Sequence, residues 1–288
     1  MKCVSPVTIR NPNFGNISKI GYDSMYIGVP CGKCLPCLQN KRNDWYLRLL
    51  SEYRSSTNSC FVTLTYSDEN CDGSVHKKDI QEFFARLRKR LQYHLGTVGL
   101  RFFCVSEYGP KTHRPHYHTL IFGYPDCDIN HYIEKSWYLG FVCVTNININ
   151  RIRYCAKYCI SKNDVPENMD NNFMLCSRRP AIGDSFLTNK VKSFYSKRHG
   201  KIIYNDHGVN YSLPRRWKEK LLSEKQKNEI KHNSMIYNND CYKKYQEKYA
   251  AYDEAALAHG NPIMSQLQID QKLESMKKYL DKDTKFKL

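Results

Sequence analysis

The stretch RFFCVSEYGPKTHRPHYHTLIFG, residues 101–123, decides the fold. Its two ends, 101–108 and 116–123, are rich in aromatic and β-branched residues, which is typical of strands. The GPKTHRP segment between them has the composition of a turn. The sequence therefore predicts an antiparallel hairpin.

Two histidines lie at the start of the second strand of this hairpin. Side chains alternate between the faces of a strand, so His116 and His118 point to the same side. Two adjacent imidazoles at a strand end can bind one divalent cation, and Glu107, near the turn of the hairpin, can reach the same point as a third ligand. The pattern also fits two histidines that are simply exposed where a loop enters a strand.

Strand-like and helix-like segments alternate around this hairpin. Further strands are predicted for SCFVTLTY (59–66) and GFVCVTNINI (140–149), and helices for KKDIQEFFARLRKRLQYHL (77–95), DINHYIEKSWY (128–138) and NRIRYCAKYCISK (150–162). In helix 77–95 the apolar residues recur every three or four positions: Ile80, Phe83, Phe84, Leu87, Leu91 and Leu95. The order predicts an α+β fold, an antiparallel sheet with flanking helices.

The helix predicted over 150–162 places Tyr154, Lys157 and Tyr158 on one face. Tyrosines at the rim of a core would give the same pattern. A tyrosine hydroxyl, with a pKa of about 10, is a poor nucleophile at neutral pH. A nearby lysine and a metal-polarised phosphodiester would offset this, and attack on DNA would then leave a 5′-phosphotyrosine and a free 3′-hydroxyl.

The chain has 13 cysteines, and three of them form C-x-x-C-x-x-C at Cys31, Cys34 and Cys37. Three thiolates at this spacing can bind one Zn²⁺, but a structural zinc site needs a fourth ligand. We expect Cys3 to supply it, with Cys60 as the second candidate. Free cysteines in a turn-rich segment are the alternative.

The formal net charge of +17 makes a polyanion the expected macromolecular partner. The helix over 77–95 carries a basic run whose members are predicted to contact DNA, although such a run can also be a solvated helix face: Arg86, Arg88, Lys89 and Arg90. The N-terminus lacks the apolar segment of a secretory signal, and no run approaches the roughly 18 apolar residues of a membrane span. We therefore expect an intracellular protein that does not contact membranes.

The His-Tyr-His strand (116–118) followed by the Y-x-x-K-Y helix (154–158) resembles the HUH endonucleases, which initiate rolling-circle replication. The two tyrosines, the cysteine-rich PCGKCLPC (30–37) and LPRRW (213–217) are similar to the replication initiators of the gokushovirus branch of the microviruses, which are bacteriophages. This resemblance implies an HUH endonuclease-like fold, and Mg²⁺ or Mn²⁺ held by the two histidines.

The resemblance also implies a reaction. One tyrosine would nick single-stranded DNA at the origin of the viral replicative form, and the second would act after a round of synthesis, so that a circular genome is rejoined and released. Lys157 would contact the scissile phosphate or lower a tyrosine pKa. Host helicase and polymerase would be partners, in the host bacterial cytoplasm.

Two other readings stay open at this point. One is a zinc-containing, non-catalytic DNA-binding protein, and the other is a plasmid initiator, relaxase or transposase of the same nuclease class. The predicted division of the chain is a cysteine-rich segment with a possible zinc site and a basic helix (1–57), the nuclease core (58–165), an accessory segment that packs on the core (166–220) and a basic helical tail (221–288).

Overall fold

The hairpin predicted from residues 101–123 lies within a larger antiparallel sheet in the computed structural model of the chain. The structure describes residues 3, 7–17, 25–96, 99–159, 165, 168–198, 202–230, 254, 257–259 and 274. The chain divides into two compact units, one made of residues 1–40 with 192–288 and the other of residues 41–191. Each unit is described by itself, and the four-part division from the sequence stays a prediction.

Within the described residues the strands and helices follow in chain order. The strands are β1 (Val7–Arg10), β2 (Tyr26–Val29), β3 (Ser59–Tyr66), β4 (Arg101–Tyr108), β5 (Pro115–Phe122), β6 (Gly140–Asn146), β7 (Met174–Cys176), β8 (Ile203–Asp206) and β9 (Val209–Ser212). The helices are α1 (Leu35–Ser55), α2 (Lys77–Leu95), α3 (Ile129–Ser136), α4 (Ile149–Tyr158), α5 (Asn189–Ser196) and α6 (Arg215–Leu221).

The sheet of the unit 41–191 has the strand order β6-β3-β5-β4-β7, and every neighbouring pair is antiparallel. The histidine strand β5 is therefore central, with β3 on one side and its hairpin partner β4 on the other. This confirms the predicted α+β class, an antiparallel sheet with flanking helices. The short β7 comes from the segment that the sequence predicted to be accessory.

Helices α2 and α3 cover one face of the sheet. Five of the six apolar positions predicted for α2 are buried, and they pack with β-strand side chains such as Val62, Leu64 and Ile121. The exception is Leu95, the last residue of the helix, which is 37% exposed. The helix ends there because Gly96 takes a left-handed conformation, with φ of 68°. The apolar stripe thus fixes which face of α2 meets the sheet.

Helix α4 lies against the opposite face of the sheet, where it contacts β4 and β5. The side chain of Asn148 caps its first turn by accepting a hydrogen bond from the backbone N–H of Arg151, at 2.9 Å. Ile152, Cys155 and Ala156 are buried beneath the helix. The same face also packs on α1, whose Trp45 ring lies 4.9 Å from that of Phe103 in β4.

The other unit contains two antiparallel strand pairs, β1–β2 and β8–β9. The second pair is the hairpin expected from KIIYNDHGVNYSLPRRW, with its turn at His207 and Gly208. Helix α1 begins at Leu35, inside the cysteine motif, and so earlier than the basic segment alone indicates. The predicted helical tail lies, past residue 230, outside the described residues apart from residues 254, 257–259 and 274.

Candidate active site

Strand register brings the histidines and the predicted carboxylate to one place on the sheet. His116 pairs with Glu107 of β4 on one side and with Thr65 of β3 on the other. His118 pairs in the same way with Val105 and Thr63. Residues paired across neighbouring strands point to the same face. This is the face that α4 covers, so the two motifs that the sequence singled out meet there.

The Glu107 carboxylate is the centre of the site. Its Oε2 lies 2.9 Å from His118 Nε2 and accepts a hydrogen bond from the Tyr154 hydroxyl at 3.0 Å. Its Oε1 accepts one from the Tyr158 hydroxyl at 2.5 Å. The two tyrosine rings are 4.6 Å apart between centroids. One carboxylate therefore holds both candidate nucleophiles beside one candidate metal ligand.

Two threonines of β3, which the sequence analysis did not single out, bind the far side of the histidine rings. Thr63 Oγ1 lies 3.2 Å from His118 Nδ1, and Thr65 Oγ1 lies 3.2 Å from His116 Nδ1. Each contact fixes the ring orientation and leaves Nε2 as the outward nitrogen, an arrangement typical of metal-binding histidines. The signal in the sequence is the T-x-T spacing of 63–65, which matches the H-x-H spacing of 116–118.

The site keeps the carboxylate charged and the tyrosines neutral. Burial raises the pKa of Glu107, but the hydrogen bonds from His118 and Tyr158 outweigh it, so that this pKa is lowered overall. Burial raises the pKa of Tyr154 well above its usual value, and the negative charge of Glu107 adds to the shift. Burial and Glu107 likewise raise the pKa of Tyr158. Both phenols are thus protonated and already bonded to an ionised proton acceptor.

The donor atoms around Glu107 fit a divalent transition metal. Burial, then the neighbouring His118, lower the pKa of His116, which favours the neutral imidazole that a metal requires. Two imidazoles and one carboxylate suit Mn²⁺ better than Mg²⁺, which prefers oxygen. In the described part of the chain, however, the ligand atoms of His116, His118 and Glu107 do not all lie within 4.8 Å of one another. Glu107 instead bonds the tyrosines, and binding all three ligands to one ion would require the carboxylate to shift.

Lys157, the third residue of the predicted catalytic face, lies half-buried in α4 directly before Tyr158. Its role at the scissile phosphate stays a prediction.

The predicted DNA-binding residues of α2 lie on the other face of the sheet from the tyrosines. Arg86 donates to the Ser136 carbonyl at 3.0 Å and lies 4.5 Å from the Tyr138 ring, so it joins α2 to α3. Arg88 lies 5.3 Å from the Phe102 ring, and burial lowers its pKa. Lys89 and Arg90 are exposed. Contact of these four residues with DNA stays a prediction, and it would place that DNA away from the tyrosines.

The predicted cysteine group is brought together in the unit of residues 1–40 and 192–288. The sulfur atoms of Cys3, Cys31, Cys34 and Cys37 all lie within 4.8 Å of one another, and the group could bind a metal such as zinc. Cys60, the second candidate for the fourth ligand, is instead buried in β3 in the core of the sheet.

Among the helices of the described residues, none combines the length and the apolar character needed to cross a bilayer.

Comparisons with known proteins match the segment that carries this site. Residues 59–164 match the family model of the ORF2-type replication-associated proteins. The replication-associated protein VP4 of Bdellovibrio phage phiMH2K is 25% identical over 279 residues, which cover 88% of this chain and 81% of the relative. The replication-associated protein ORF2 of Spiroplasma virus 4 is 26% identical over 263 residues, which cover 78% and 81%.

A third relative, the replication-associated protein ORF4 of Chlamydia phage 1, is 27% identical over 223 residues, which cover 68% of this chain and 55% of the relative. No solved structure matches the chain. The resemblance that the two motifs predicted is therefore confirmed: the chain carries, over residues 59–164, the domain of the phage replication-associated proteins.

Proposed function

We propose that the chain is a replication initiator that nicks and rejoins single-stranded DNA, with Tyr154 and Tyr158 as the nucleophiles. The observation that carries this proposal is the convergence of both hydroxyls on Glu107, at 3.0 and 2.5 Å, beside His118. A tyrosine at the rim of a core needs no second tyrosine on the same buried carboxylate. The match to phage replication-associated proteins supports the same reading.

In the cleavage step, one tyrosine oxygen attacks the phosphorus of the scissile phosphodiester. Its proton passes to the Glu107 carboxylate, to which the hydroxyl is already hydrogen-bonded. The Tyr–phosphorus bond forms as the phosphorus–O3′ bond breaks, and O3′ takes up a proton, so no net proton is consumed. The products are a 5′-phosphotyrosine and a free 3′-hydroxyl. Because the bond energy is kept, rejoining needs no ATP.

His116, His118 and Glu107 are the residues that would hold Mn²⁺ or Mg²⁺. The metal would stabilise the negative charge that develops on the phosphate oxygens. Thr63 and Thr65 keep the two imidazoles oriented for this task. Lys157 would add positive charge near the phosphate.

Two tyrosines allow two successive cuts. After the first, a host polymerase would extend the 3′-hydroxyl while a host helicase opens the duplex of the viral replicative form. The second tyrosine would then cut the regenerated origin. Attack of the new 3′-hydroxyl on the first phosphotyrosine would close a circular genome and free that tyrosine. This cycle belongs to the host bacterial cytoplasm, where the viral DNA is copied.

The test is a cleavage assay on a labelled single-stranded oligonucleotide that carries the viral origin, with Mn²⁺ or with EDTA. Wild type is compared with Tyr154→Phe, Tyr158→Phe, the double variant and His116→Ala. Tyr93→Phe is the matched control, because Tyr93 is 84% exposed on α2. We expect a metal-dependent protein–DNA adduct that resists SDS and is lost in the double variant and in His116→Ala.

The outcomes separate the open readings. An adduct that one single variant abolishes assigns initiation to that tyrosine alone. Binding of the oligonucleotide without any adduct in the wild type would contradict the proposal and favour a non-catalytic DNA-binding protein. Equal cleavage of plasmid, transfer or transposon origins would instead favour an initiator, relaxase or transposase of broader range.

A further inference from the structure

Four sulfur atoms converge near the start of α1, outside the tyrosine site. Cys3, Cys31, Cys34 and Cys37 place their Sγ atoms within 4.8 Å of one another, and the Cys34 and Cys3 sulfurs are 3.7 Å apart. A zinc ion with Zn–S bonds of about 2.3 Å at the centre of a tetrahedron would separate the sulfurs by about 3.8 Å. The group thus has the size of a site for one ion.

The backbone around Cys31 is folded to stabilise thiolate charge. Gly32 takes a left-handed conformation, with φ of 73°, which turns the chain back over the sulfur. The backbone N–H groups of Lys33 and Cys34 then donate to Cys31 Sγ at 3.4 and 3.3 Å, and the N–H of Cys31 donates to Cys3 Sγ at 3.3 Å. The N–H donors of residues 33 and 34 lower the pKa of the Cys31 thiol.

The position of the group at a helix start also favours negative charge. Cys37 lies in the first turn of the 21-residue helix α1, and the Cys34 carbonyl accepts from the backbone N–H of Leu38 at 3.0 Å. That first turn contains no acidic side chain. Helix N-termini stabilise anions, and thiolates there ionise more readily. A zinc ion with four thiolates carries net negative charge and would complement this end of α1.

We propose that Cys3, Cys31, Cys34 and Cys37 bind one Zn²⁺ in a closed structural site, which ties the N-terminal segment to the first turn of α1. Four thiolates complete the tetrahedron and leave no open position for a substrate, so the site is structural rather than catalytic. An iron–sulfur cluster would hold its cysteine sulfurs further apart, because the cluster itself fills the space between them. The ion would close a loop between residues 3 and 31, which are 28 positions apart.

This site is independent of the proposed nicking reaction, and a metal-content experiment tests it. The full chain is purified under reducing conditions with zinc in the growth medium, and its zinc and iron are measured by mass spectrometry. A second sample is loaded with Co²⁺ in place of zinc. We expect one zinc per chain, and a cobalt spectrum with the strong visible and charge-transfer bands of tetrahedral thiolate ligation.

Variants then assign the metal to the cysteines. Cys31→Ser and Cys34→Ser should lose the zinc, whereas Cys143→Ser, a cysteine exposed on β6, should keep it. His116→Ala should also keep it, which separates this site from the histidine site. If a serine variant does not fold, the cobalt spectrum of the wild type still decides. Substoichiometric zinc, iron in its place, a nitrogen- or oxygen-ligated cobalt spectrum, or zinc lost in His116→Ala but kept in Cys31→Ser would overturn the proposal.

Discussion

Thr63 Oγ1 lies 3.2 Å from His118 Nδ1, across a strand pair whose partners are 55 positions apart in the chain. Thr65 and His116 repeat the contact one pleat further along, also at 3.2 Å. Both imidazoles are therefore oriented by the neighbouring strand before any ligand arrives. The strand β3 is part of the site as well as part of the core.

Replacing Thr63 by valine keeps the shape of the side chain and removes the hydroxyl at His118 Nδ1. We expect Mn²⁺ affinity to fall about tenfold, because groups that orient metal-binding histidines typically contribute that much. The free energy of unfolding should change by no more than about 1 kcal/mol, since one exchanged hydroxyl rarely costs more. Isothermal titration with Mn²⁺ and a thermal melt measure the two quantities.

Thr145→Val is the matched control for this change. Thr145 lies on β6 of the same sheet and donates to the Phe61 carbonyl at 3.4 Å, without contact to either histidine. It should leave Mn²⁺ affinity unchanged. Equal losses in Thr63→Val and Thr145→Val would mean that the hydroxyls act through general sheet stability.

Gly109 leaves space for the outward nitrogen of His116. A Cβ atom at this position would lie 3.0 Å from His116 Nε2, whereas the backbone of Gly109 is outside the left-handed region and accepts alanine without strain. Gly109→Ala should therefore crowd the metal-binding nitrogen while the fold stays intact. We expect Mn²⁺ affinity and adduct formation to fall about tenfold or more, with a melting temperature close to wild type.

The control for Gly109→Ala is Gly99→Ala. Its added Cβ would lie 3.2 Å from the Gly123 carbonyl oxygen, so it brings similar crowding at a distance from the histidines. It should leave metal binding unaffected. Wild-type Mn²⁺ affinity in Gly109→Ala would show that His116 does not bind the ion through Nε2.

The elements of the sheet could be predicted because their signals are local. Alternation within 101–123 predicts both strands of the hairpin and the shared face of His116 and His118, and the three-to-four-residue spacing of 77–95 predicts α2. Glu107 could be placed beside the histidines because the hairpin register follows from one turn. Cys3 could be proposed only as a candidate, since its distance from the C-x-x-C-x-x-C motif depends on how the N-terminal chain returns.

The rest depended on contacts between segments far apart in the chain. The pairing of Thr63 with His118 requires the register of β3 against β5, which no local pattern specifies. The i, i+4 spacing puts Tyr154 and Tyr158 on one helix face, but only the packing of α4 across the sheet brings both to Glu107. The role of Arg86 in joining α2 to α3 was hidden for the same reason, because charge alone suggests a solvated residue.

Glu107→Gln should change how stability depends on pH. The folded pKa of Glu107 lies below its ordinary value of 4.5, so folding favours the ionised carboxylate. The stabilisation is fully present above pH 4.5 and is lost as the pH falls through the lower, folded pKa. At neutral pH we expect the variant to be less stable by about 1–3 kcal/mol, the usual range for hydrogen bonds to a charged group.

Melting temperatures of wild type and Glu107→Gln between neutral and acid pH test this. The difference between the two proteins should shrink on acidification, because a protonated glutamate resembles glutamine. Glu134→Gln, an exposed carboxylate on α3, is the control and should follow the wild type throughout. A difference that stays constant with pH would mean that Glu107 is not ionised in the folded protein.

Arg86 and Arg90 should separate structure from DNA binding on α2. Arg86→Ala removes the hydrogen bond to the Ser136 carbonyl and the contact with the Tyr138 ring, so it should cost about 1–2 kcal/mol of stability. Arg90 is exposed, and Arg90→Ala should change stability by less than about 0.5 kcal/mol. If Arg90 contacts a phosphate, the salt dependence of single-strand binding should decrease by about 0.7 in logarithmic slope. An unchanged slope in Arg90→Ala, together with a wild-type melt in Arg86→Ala, would reverse both assignments and return Arg86 to the DNA-contacting surface.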